Sequence, residues 1–203
     1  MTPPGTFERV YAAIRQRLRE GMYRPGDRLE PAVLAEELNA SVTPVRDALH
    51  RLTGERLVEA PRHEGFRVPM MTETMLRHLY SWHLDLLLLA LMKHRAAKVP
   101  DTLVESDGQA ELPAQARDNA LFLGLVRSAG NPEHFAALES ASQRLEPVQR
   151  FERMFLDETE ADTAEIARAI GAHDRTALRR ALVRYHRRRE KIVPELLTAL
   201  LGT

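Results

Sequence analysis

Residues 41–52 have the sequence SVTPVRDALHRL, and this stretch decides the fold of the first part of the chain. Four apolar residues recur at the spacing of one helix face: Val45, Ala48, Leu49 and Leu52. Pro44 falls in the first turn, where a missing backbone N–H costs nothing. We therefore predict a helix that begins at Ser41 or Thr43, with one apolar face and one polar face.

Two further helices are predicted before this stretch. The first carries an apolar stripe at helical spacing: Phe7, Val10, Tyr11, Ile14 and Leu18. Gly21 is placed to end that helix, and Pro25-Gly26 forms a turn that few other residues make at low cost. A short second helix directs Leu34, Ala35 and Leu38 inward. Asn39 then suits the left-handed backbone of a tight turn into the third helix.

A β-hairpin is predicted after the third helix. Residues 54–60 turn into a strand, residues 61–65 form the hairpin tip, and residues 66–68 return as a second strand. Three helices followed by a hairpin make a winged helix-turn-helix. The polar face of its third helix offers Thr, Arg and His side chains, which can reach base edges in a major groove.

We predict a DNA-binding surface from this arrangement. On the third helix it comprises Ser41, Val42, Thr43, Arg46, His50 and Arg51, and on the wing Arg62, His63, Gly65 and Arg67. The expected partner is a double-stranded DNA operator.

The order and spacing of residues 6–69 resemble the DNA-binding domain of GntR-family bacterial transcriptional regulators. The residues that carry the resemblance are Ile14, Gly21, Pro25, Gly26, Leu29, Leu34, Ala35, Leu38, Ser41, Pro44, Val45, Arg46, Ala48, Leu49, Leu52, Leu57, Val58, Gly65 and Val68. The resemblance implies a sequence-specific DNA-binding regulator and not an enzyme. In agreement, we find no phosphate-binding Gly loop, no Ser/His/Asp arrangement on a strand-turn-helix elbow and no His-x-x-x-His zinc pair.

Three positions depart from the family pattern. Val42 and Ala32 stand where members commonly have Arg, and Glu64 stands where the wing often has Arg or His. Residues 1–70 hold 11 Arg against 10 Asp plus Glu, so the domain is nearly neutral. DNA-binding domains are usually more basic. We therefore expect an uncommon operator and weak binding by one domain. Useful affinity then requires a homodimer, which we expect to form mainly through the C-terminal helices, including the apolar segment 84–92 and the last helix.

The second part of the chain, residues 71–203, is predicted to be an all-helical bundle that follows the DNA-binding domain of residues 1–70. Helices are expected at 73–98, 114–128, 132–155, 159–172 and 175–200, with a polar loop at 99–113. Thr72, Asn131 and Asp174 are the expected helix caps. The fold class is thus mostly α: an N-terminal winged helix-turn-helix and a C-terminal helical bundle.

This half resembles a reduced version of FCD, the helical ligand-binding domain of the FadR-like branch of the GntR family. The resemblance rests on Leu79, Tyr80, Asp118, the segment 129–132, Arg150, Arg153, Ala169, Ile170, His173 and Asp174. Many members of that branch bind a divalent metal through one Asp and three His, and the metal helps to hold an organic acid.

Applied to this chain, the resemblance implies an altered site. Asp118 matches the Asp, but the three His positions correspond to Phe122, Thr163 and Tyr185, with His186 adjacent. We therefore predict no metal and no cofactor. Asp118 is expected to pair with an Arg such as Arg127 or Arg153. The predicted effector-binding residues are His83, Asp118, Phe122, Tyr185 and His186.

Composition adds few constraints. The chain carries no net charge and no cysteine, which suits a reducing cytosol, and we expect no signal peptide. The apolar run 84–92 is too short to span a bilayer. His94, His134 and His173 are expected in solvent.

The function predicted from the sequence is a cytoplasmic transcriptional regulator, a repressor, controlled by a small-molecule effector in the helical domain. The alternative is a helical scaffold or partner-binding protein that retains a winged helix without ligand sensing.

Overall fold

The computed structural model describes residues 5–93, 114–157 and 159–202. Contacts divide them into two compact units. One comprises the residues through Met71 together with the last residues from Leu200, and the other is Thr72–Ala199. Both units are helical, and the first ends in a wing, so the predicted fold class is confirmed. Among the described residues, no helix is long and apolar enough to cross a membrane.

The first unit is a three-helix core. Helix α1 spans Thr6–Arg19, α2 spans Pro31–Glu37 and α3 spans Val42–Gly54. Helix α3 packs against both of the others, and the predicted apolar stripe of α3 is fully buried. Asn39 has a φ of 47°, the left-handed backbone expected at the corner between α2 and α3.

The wing has the predicted order of segments but lacks continuous strands. Glu59 and Arg67 form an isolated antiparallel bridge, with backbone N–O distances of 2.8 and 2.9 Å in the two directions. A second bridge joins Arg67 to Arg28. The returning segment thus lies between two extended neighbours, and each pairing is only a few residues long. The tip turns at His63 and Gly65, both at positive φ.

The second unit is a bundle built around α4, Glu73–Lys93. Helix α4 packs against α5 (Ala114–Ser128), α6 (Pro132–Gln149) and α9 (Arg175–Lys191). Helix α8 (Thr159–Gly171) packs against α5 and α9. The expected caps are confirmed: Thr72, Asn131 and Asp174 accept hydrogen bonds from N–H groups of the following first turns.

Two helices predicted as continuous are each broken. Residues 132–155 form α6 and a short α7, Glu152–Phe155, since Pro147 removes a backbone donor in the last turn of α6. Residues 175–200 form α9 and α10, Val193–Leu201, with Pro194 in the first turn of α10, where no donor is needed. The predicted segments 94–98 and 99–113 lie outside the described residues.

Candidate functional site

Helix α3 presents a polar face opposite its buried stripe. Ser41 precedes the helix, and Val42, Thr43, Arg46 and His50 follow along the exposed face. His50 packs edge-on against Phe66 of the wing, with ring centroids 4.9 Å apart. The helix and the wing therefore form one continuous surface.

Arg46, Arg62 and His63 are the exposed basic side chains of this surface that form neither an ion pair nor a ring contact with another described residue. Arg46 lies on α3, and the other two lie at the tip of the wing. Gly65, also at the tip of the wing, has a φ of 77°, a backbone conformation that residues with a side chain rarely adopt. These groups can meet phosphate or base edges without first breaking an internal contact.

Two predicted DNA-binding arginines are instead held by neighbouring side chains. The guanidinium of Arg51 lies 4.1 Å from the ring centroid of Tyr11 on α1 and pairs with Glu55. Arg67 pairs with Glu59 at 3.0 Å and with Glu64 at 3.1 Å. Any contact of Arg51 or Arg67 with DNA would compete with these interactions. The sequence could not reveal this, because the pairs to Tyr11 and Glu59 join separate segments.

In the second unit, the five predicted effector-binding residues converge in the core of the bundle. They come from three helices: His83 from α4, Asp118 and Phe122 from α5, and Tyr185 and His186 from α9. The ring of Phe122 stacks edge-on against His83 at 5.4 Å and Tyr185 at 5.1 Å. All are buried except Asp118, which is partly exposed.

The two histidines form a hydrogen-bonded chain whose proton positions follow from their partners. His186 Nδ1 donates to the Leu182 carbonyl at 2.8 Å, so its Nε2 accepts. His83 Nδ1 then donates to that Nε2 at 2.9 Å. The remaining His83 Nε2 accepts from the Ser142 hydroxyl at 3.1 Å. Both imidazoles are therefore neutral, and every ring nitrogen has a partner.

Burial favours the same neutral state. Removal from water lowers the pKa of His186 to about 4. Burial, together with the neighbouring His186, lowers the pKa of His83 well below its ordinary value. A proton added to His186 would fall on Nε2 and would place two donors face to face at the His83–His186 contact.

Asp118 has hydroxyl partners and not the predicted ion pair. Its two carboxylate oxygens accept from Thr163 Oγ1 at 2.7 Å and from Tyr185 Oη at 3.3 Å. The expected partners are engaged elsewhere: Arg127 stacks on Phe135, and Arg153 pairs with Glu160. The prediction of an Asp118 pair with Arg127 or Arg153 is therefore wrong, since both arginines point to other neighbours.

The residues at the family's metal positions lie together but do not fit a metal. Asp118, Phe122, Thr163 and Tyr185 supply one carboxylate, one apolar ring and two hydroxyls that donate to that carboxylate. Among the described residues there is no group of three or more His, Cys, Asp or Glu arranged to hold a metal ion. Hydroxyls of Thr and Tyr replace imidazoles, the usual ligands of such ions in proteins.

The core also contains an ion cluster that the sequence pattern did not predict. Arg189 is fully buried and pairs with Glu152 at 2.7 Å and Asp162 at 3.3 Å. Tyr80 donates to the other Glu152 oxygen at 3.0 Å. Arg189 lies in a run of arginines that resembles a solvated surface. Its spacing of four residues from Tyr185, on the buried face of α9, was the available signal.

One predicted surface histidine is also in the core. His134 is 5% exposed, and its Nε2 lies 2.7 Å from the carbonyl oxygen of Leu86. It was expected in solvent because it stands in the first turn of a helix, but that turn packs on α4. His173 is exposed as predicted, and His94 lies outside the described residues.

Comparison with known proteins identifies the first unit. Residues 6–68 match the profile of bacterial regulatory proteins of the gntR family. The N-terminal domain belongs to the GntR family. This agrees with the resemblance predicted for residues 6–69.

Curated relatives match part of the chain. The Nta operon transcriptional regulator of Aminobacter aminovorans is 31% identical over 61% of this chain and 63% of its own length. The regulator McbR of Escherichia coli K12 is 30% identical over 52% of this chain and 48% of its own length. The chain therefore spans less than two thirds of either relative.

Solved structures share the fold. A putative GntR transcriptional regulator from Rhodococcus sp. RHA1 has a TM-score of 0.75 at 19% identity, covering 95% of this chain and 99% of its own. Escherichia coli McbR/YncC has a TM-score of 0.65 at 22% identity, covering 93% and 97%. At this level of identity the likeness supports the fold alone.

The wing arginines should differ in their effect on DNA binding. Arg62→Ala should weaken binding to all sequences alike and lower the slope of log affinity against log salt by about one. Arg67→Ala should lower that slope by less, because Glu59 and Glu64 already offset the charge of Arg67. Titrations of labelled DNA at several salt concentrations measure both slopes. Equal slopes for the two variants would contradict the assigned pairing of Arg67.

The neutral histidine pair predicts that acid destabilises the bundle. The histidine pKa is about 6.5 in the unfolded chain and about 4 for folded His186, so unfolding takes up protons between these values. The stability that neutral His186 gives the bundle is fully present above pH 6.5 and is lost as the pH falls toward about 4. At about 1.4 kcal/mol per pKa unit, the low pKa of His186 makes the free energy of unfolding about 3 kcal/mol smaller in acid than at neutral pH.

Urea unfolding at pH 7.5 and at pH 5 measures this loss. Burial raises the pKa of Asp118 and Glu152, which opposes the histidine effect at the acid end. Variants separate the contributions: His186→Gln should reduce the pH dependence, and His173→Gln at an exposed position should leave it unchanged. A pH dependence of His186→Gln equal to that of the wild type would rule out the buried neutral pair.

Proposed function

We propose that this protein is a sequence-specific DNA-binding transcriptional regulator that acts as a repressor in the cytoplasm. The observation that carries the proposal is the exposed face of α3, where Thr43, Arg46 and His50 stand over a fully buried stripe. In a helix-turn-helix, that face enters the major groove, and its first residues contact base edges. The GntR profile covers the same residues.

The role of Arg46 provides the most direct test. Arg46→Ala should weaken binding to the selected operator by about 1–3 kcal/mol and relax base preference at one position, because Arg recognises guanine through two hydrogen bonds. The free energy of unfolding should change by about 0.5 kcal/mol or less, since the side chain is exposed. The operator is first selected from genomic fragments, and affinities are then measured by fluorescence anisotropy.

A matched control removes the same charge elsewhere. Arg179 is exposed on α9 of the second unit, so Arg179→Ala should bind the operator like the wild type. If Arg46→Ala also binds like the wild type, α3 is not the recognition helix. If both variants weaken binding equally, general electrostatic attraction accounts for the affinity and the specific contact is absent.

We further propose that the protein acts as a homodimer. With few unpaired basic groups on the DNA-binding surface, one domain makes a weak half-site contact, and useful affinity requires two. Helix α4 offers a surface for association. Its exposed apolar side chains are Met75, Trp82, Leu89 and Met92. The first three are spaced by seven residues, so they share one face of the helix.

Only part of the apolar segment 84–92 is available for a dimer contact. Leu86, Leu87, Ala90 and Leu91 of that segment are buried within their own bundle. The dimer surface therefore depends on the exposed stripe, in which Trp82 is half exposed. Aromatic residues such as Trp are the commonest anchors of protein interfaces.

Trp82 both tests and reports this interface, because it is the one tryptophan of the sequence. Its emission should shift to shorter wavelength as protein concentration rises through the dimer dissociation constant. Light scattering should give twice the 23.0 kDa chain mass for the wild type. Trp82→Glu should shift the mass toward the monomer, and Arg179→Glu, an exposed control on α9, should not. A wild-type monomer at micromolar concentration, with and without DNA, would contradict the homodimer.

For regulation, we propose an effector that contacts His83, Asp118, Phe122, Tyr185 and His186 in the bundle core. The neutral imidazoles and the Phe122 ring favour a ligand with a hydrophobic body. Such a ligand regulates through different affinities for two states of the dimer, one of which spaces the recognition helices to fit the half-sites.

One observation favours the alternative, a helical scaffold or partner-binding protein without ligand sensing. Every ring nitrogen of His83 and His186 already has an internal partner, so the core is hydrogen-bonded without a ligand. A metabolite screen on the protein–operator complex distinguishes the two. Release of DNA by a compound that also raises the unfolding temperature supports the effector. DNA binding that no compound affects supports the scaffold.

A further inference from the structure

We infer that Arg189 is the resident cation of the bundle core, and that its guanidinium takes the place that the family resemblance assigns to a divalent metal. This cation would hold the second unit together whether or not the protein binds an operator.

Arg189 is a buried cation of the core and not a surface charge. Its side chain is fully buried on α9. Nε donates to Glu152 Oε2 at 2.7 Å, and Nη1 donates to Asp162 Oδ2 at 3.3 Å and to the Tyr185 carbonyl at 3.1 Å. Through these contacts one cation joins α7, α8 and α9, and Tyr80 extends the connection to α4 by its hydrogen bond to Glu152.

The cluster continues to the positions where the resemblance would place metal ligands. The guanidinium carbon of Arg189 lies 3.3 Å from the ring centroid of Tyr185. The hydroxyl of the same Tyr185 donates to Asp118, which also accepts from Thr163. Tyr185 therefore lies between the cation and the one carboxylate that this chain retains at those positions.

Charge balance explains why the core needs a resident cation. Three carboxylates lie in or near this core, those of Asp118, Glu152 and Asp162, and unpaired buried charges are costly. Arg189 faces Glu152 and Asp162, and the partly exposed Arg188 adds a second contact to Asp162 at 2.8 Å. The imidazoles of His83 and His186 are neutral and contribute no charge. Arg189 is thus the fully buried positive group among the described residues of this core.

The same contacts leave a divalent ion little to bind. The Asp118 oxygens accept from hydroxyls, the Glu152 oxygens accept from Arg189 and Tyr80, and the histidine nitrogens bond to one another, to Ser142 and to the Leu182 carbonyl. A metal would have to displace several of these bonds and would then repel the neighbouring guanidinium. A fixed cation and a bound metal are therefore mutually exclusive solutions here.

The first experiment measures metal dependence on the full chain. Protein purified without chelator should contain well under one equivalent of Zn, Ni or Mn by elemental analysis. Its unfolding temperature should not change with EDTA or with added Zn²⁺. About one equivalent of a co-purified metal, or a large fall in unfolding temperature on chelation, would overturn the inference.

The second experiment removes the cation. Arg189→Met replaces the cation by an uncharged side chain of similar length and leaves Glu152 without its partner. The unfolding temperature should therefore fall by about 10 °C. Arg179→Met, at an exposed position on the same helix, should leave it unchanged. Glu152→Gln in the Arg189→Met background should recover part of the loss, because an amide is less costly to bury than an unpaired carboxylate.

The rescue makes the result specific to charge. Recovery by Glu152→Gln supports a cation that balances carboxylates, and this includes the case in which Arg189→Met alone fails to fold. Arg189→Met with the stability of Arg179→Met would refute the inference. A double variant no more stable than Arg189→Met alone would also refute it, since the loss would then reflect packing.

Discussion

The buried ion pair between Arg189 and Glu152 is the interaction on which the second unit depends. Both side chains are taken out of water, and Coulomb attraction offsets that cost only when geometry and further hydrogen bonds are good. Here Glu152 accepts from Arg189 and Tyr80, and Arg189 also reaches Asp162. The break between α6 and α7 serves the same contact, because it ends one helix before Glu152 and lets the next begin inside the core.

The neutral histidine pair follows from the same arrangement. Burial is the main cause of the low His186 pKa, and the nearby positive charge of Arg189 lowers it further. A neutral His186 can accept from His83, which in turn accepts from Ser142. The core therefore combines a fixed cation with uncharged imidazoles. In the resemblance, a metal with three imidazoles would occupy the same part of the bundle, with the charge on the metal and the histidines as its ligands.

In the first unit, too, internal partners decide which charges are available to bind DNA. Its sequence is nearly neutral, and the structure divides the four arginines of its predicted DNA-binding surface into two groups. Arg51 and Arg67 are paired with side chains of their own domain, and Arg46 and Arg62 remain exposed and without ion pairs among the described residues. Only the second group can form a new ion pair with phosphate at no internal cost. The net charge of the domain therefore understates its capacity to bind DNA at one face.

The sequence by itself determined the elements whose signals are local. Helix stripes, the left-handed Asn39, the caps at Thr72, Asn131 and Asp174, and the family of residues 6–68 all follow from patterns a few residues long, where backbone geometry and helical spacing act directly. His83 and Phe122 were site candidates through the family resemblance and not through local spacing.

Only the tertiary structure decided which polar groups meet. Arg189 looked like part of a solvated arginine run, His134 looked like a surface residue, and Asp118 was expected to pair with an arginine. Each outcome depends on a partner from a distant segment: Glu152 for Arg189, the Leu86 carbonyl for His134, and Thr163 with Tyr185 for Asp118. A buried polar group must find its partner wherever packing places one, and packing between helices is a property of the whole bundle that no short stretch of sequence encodes.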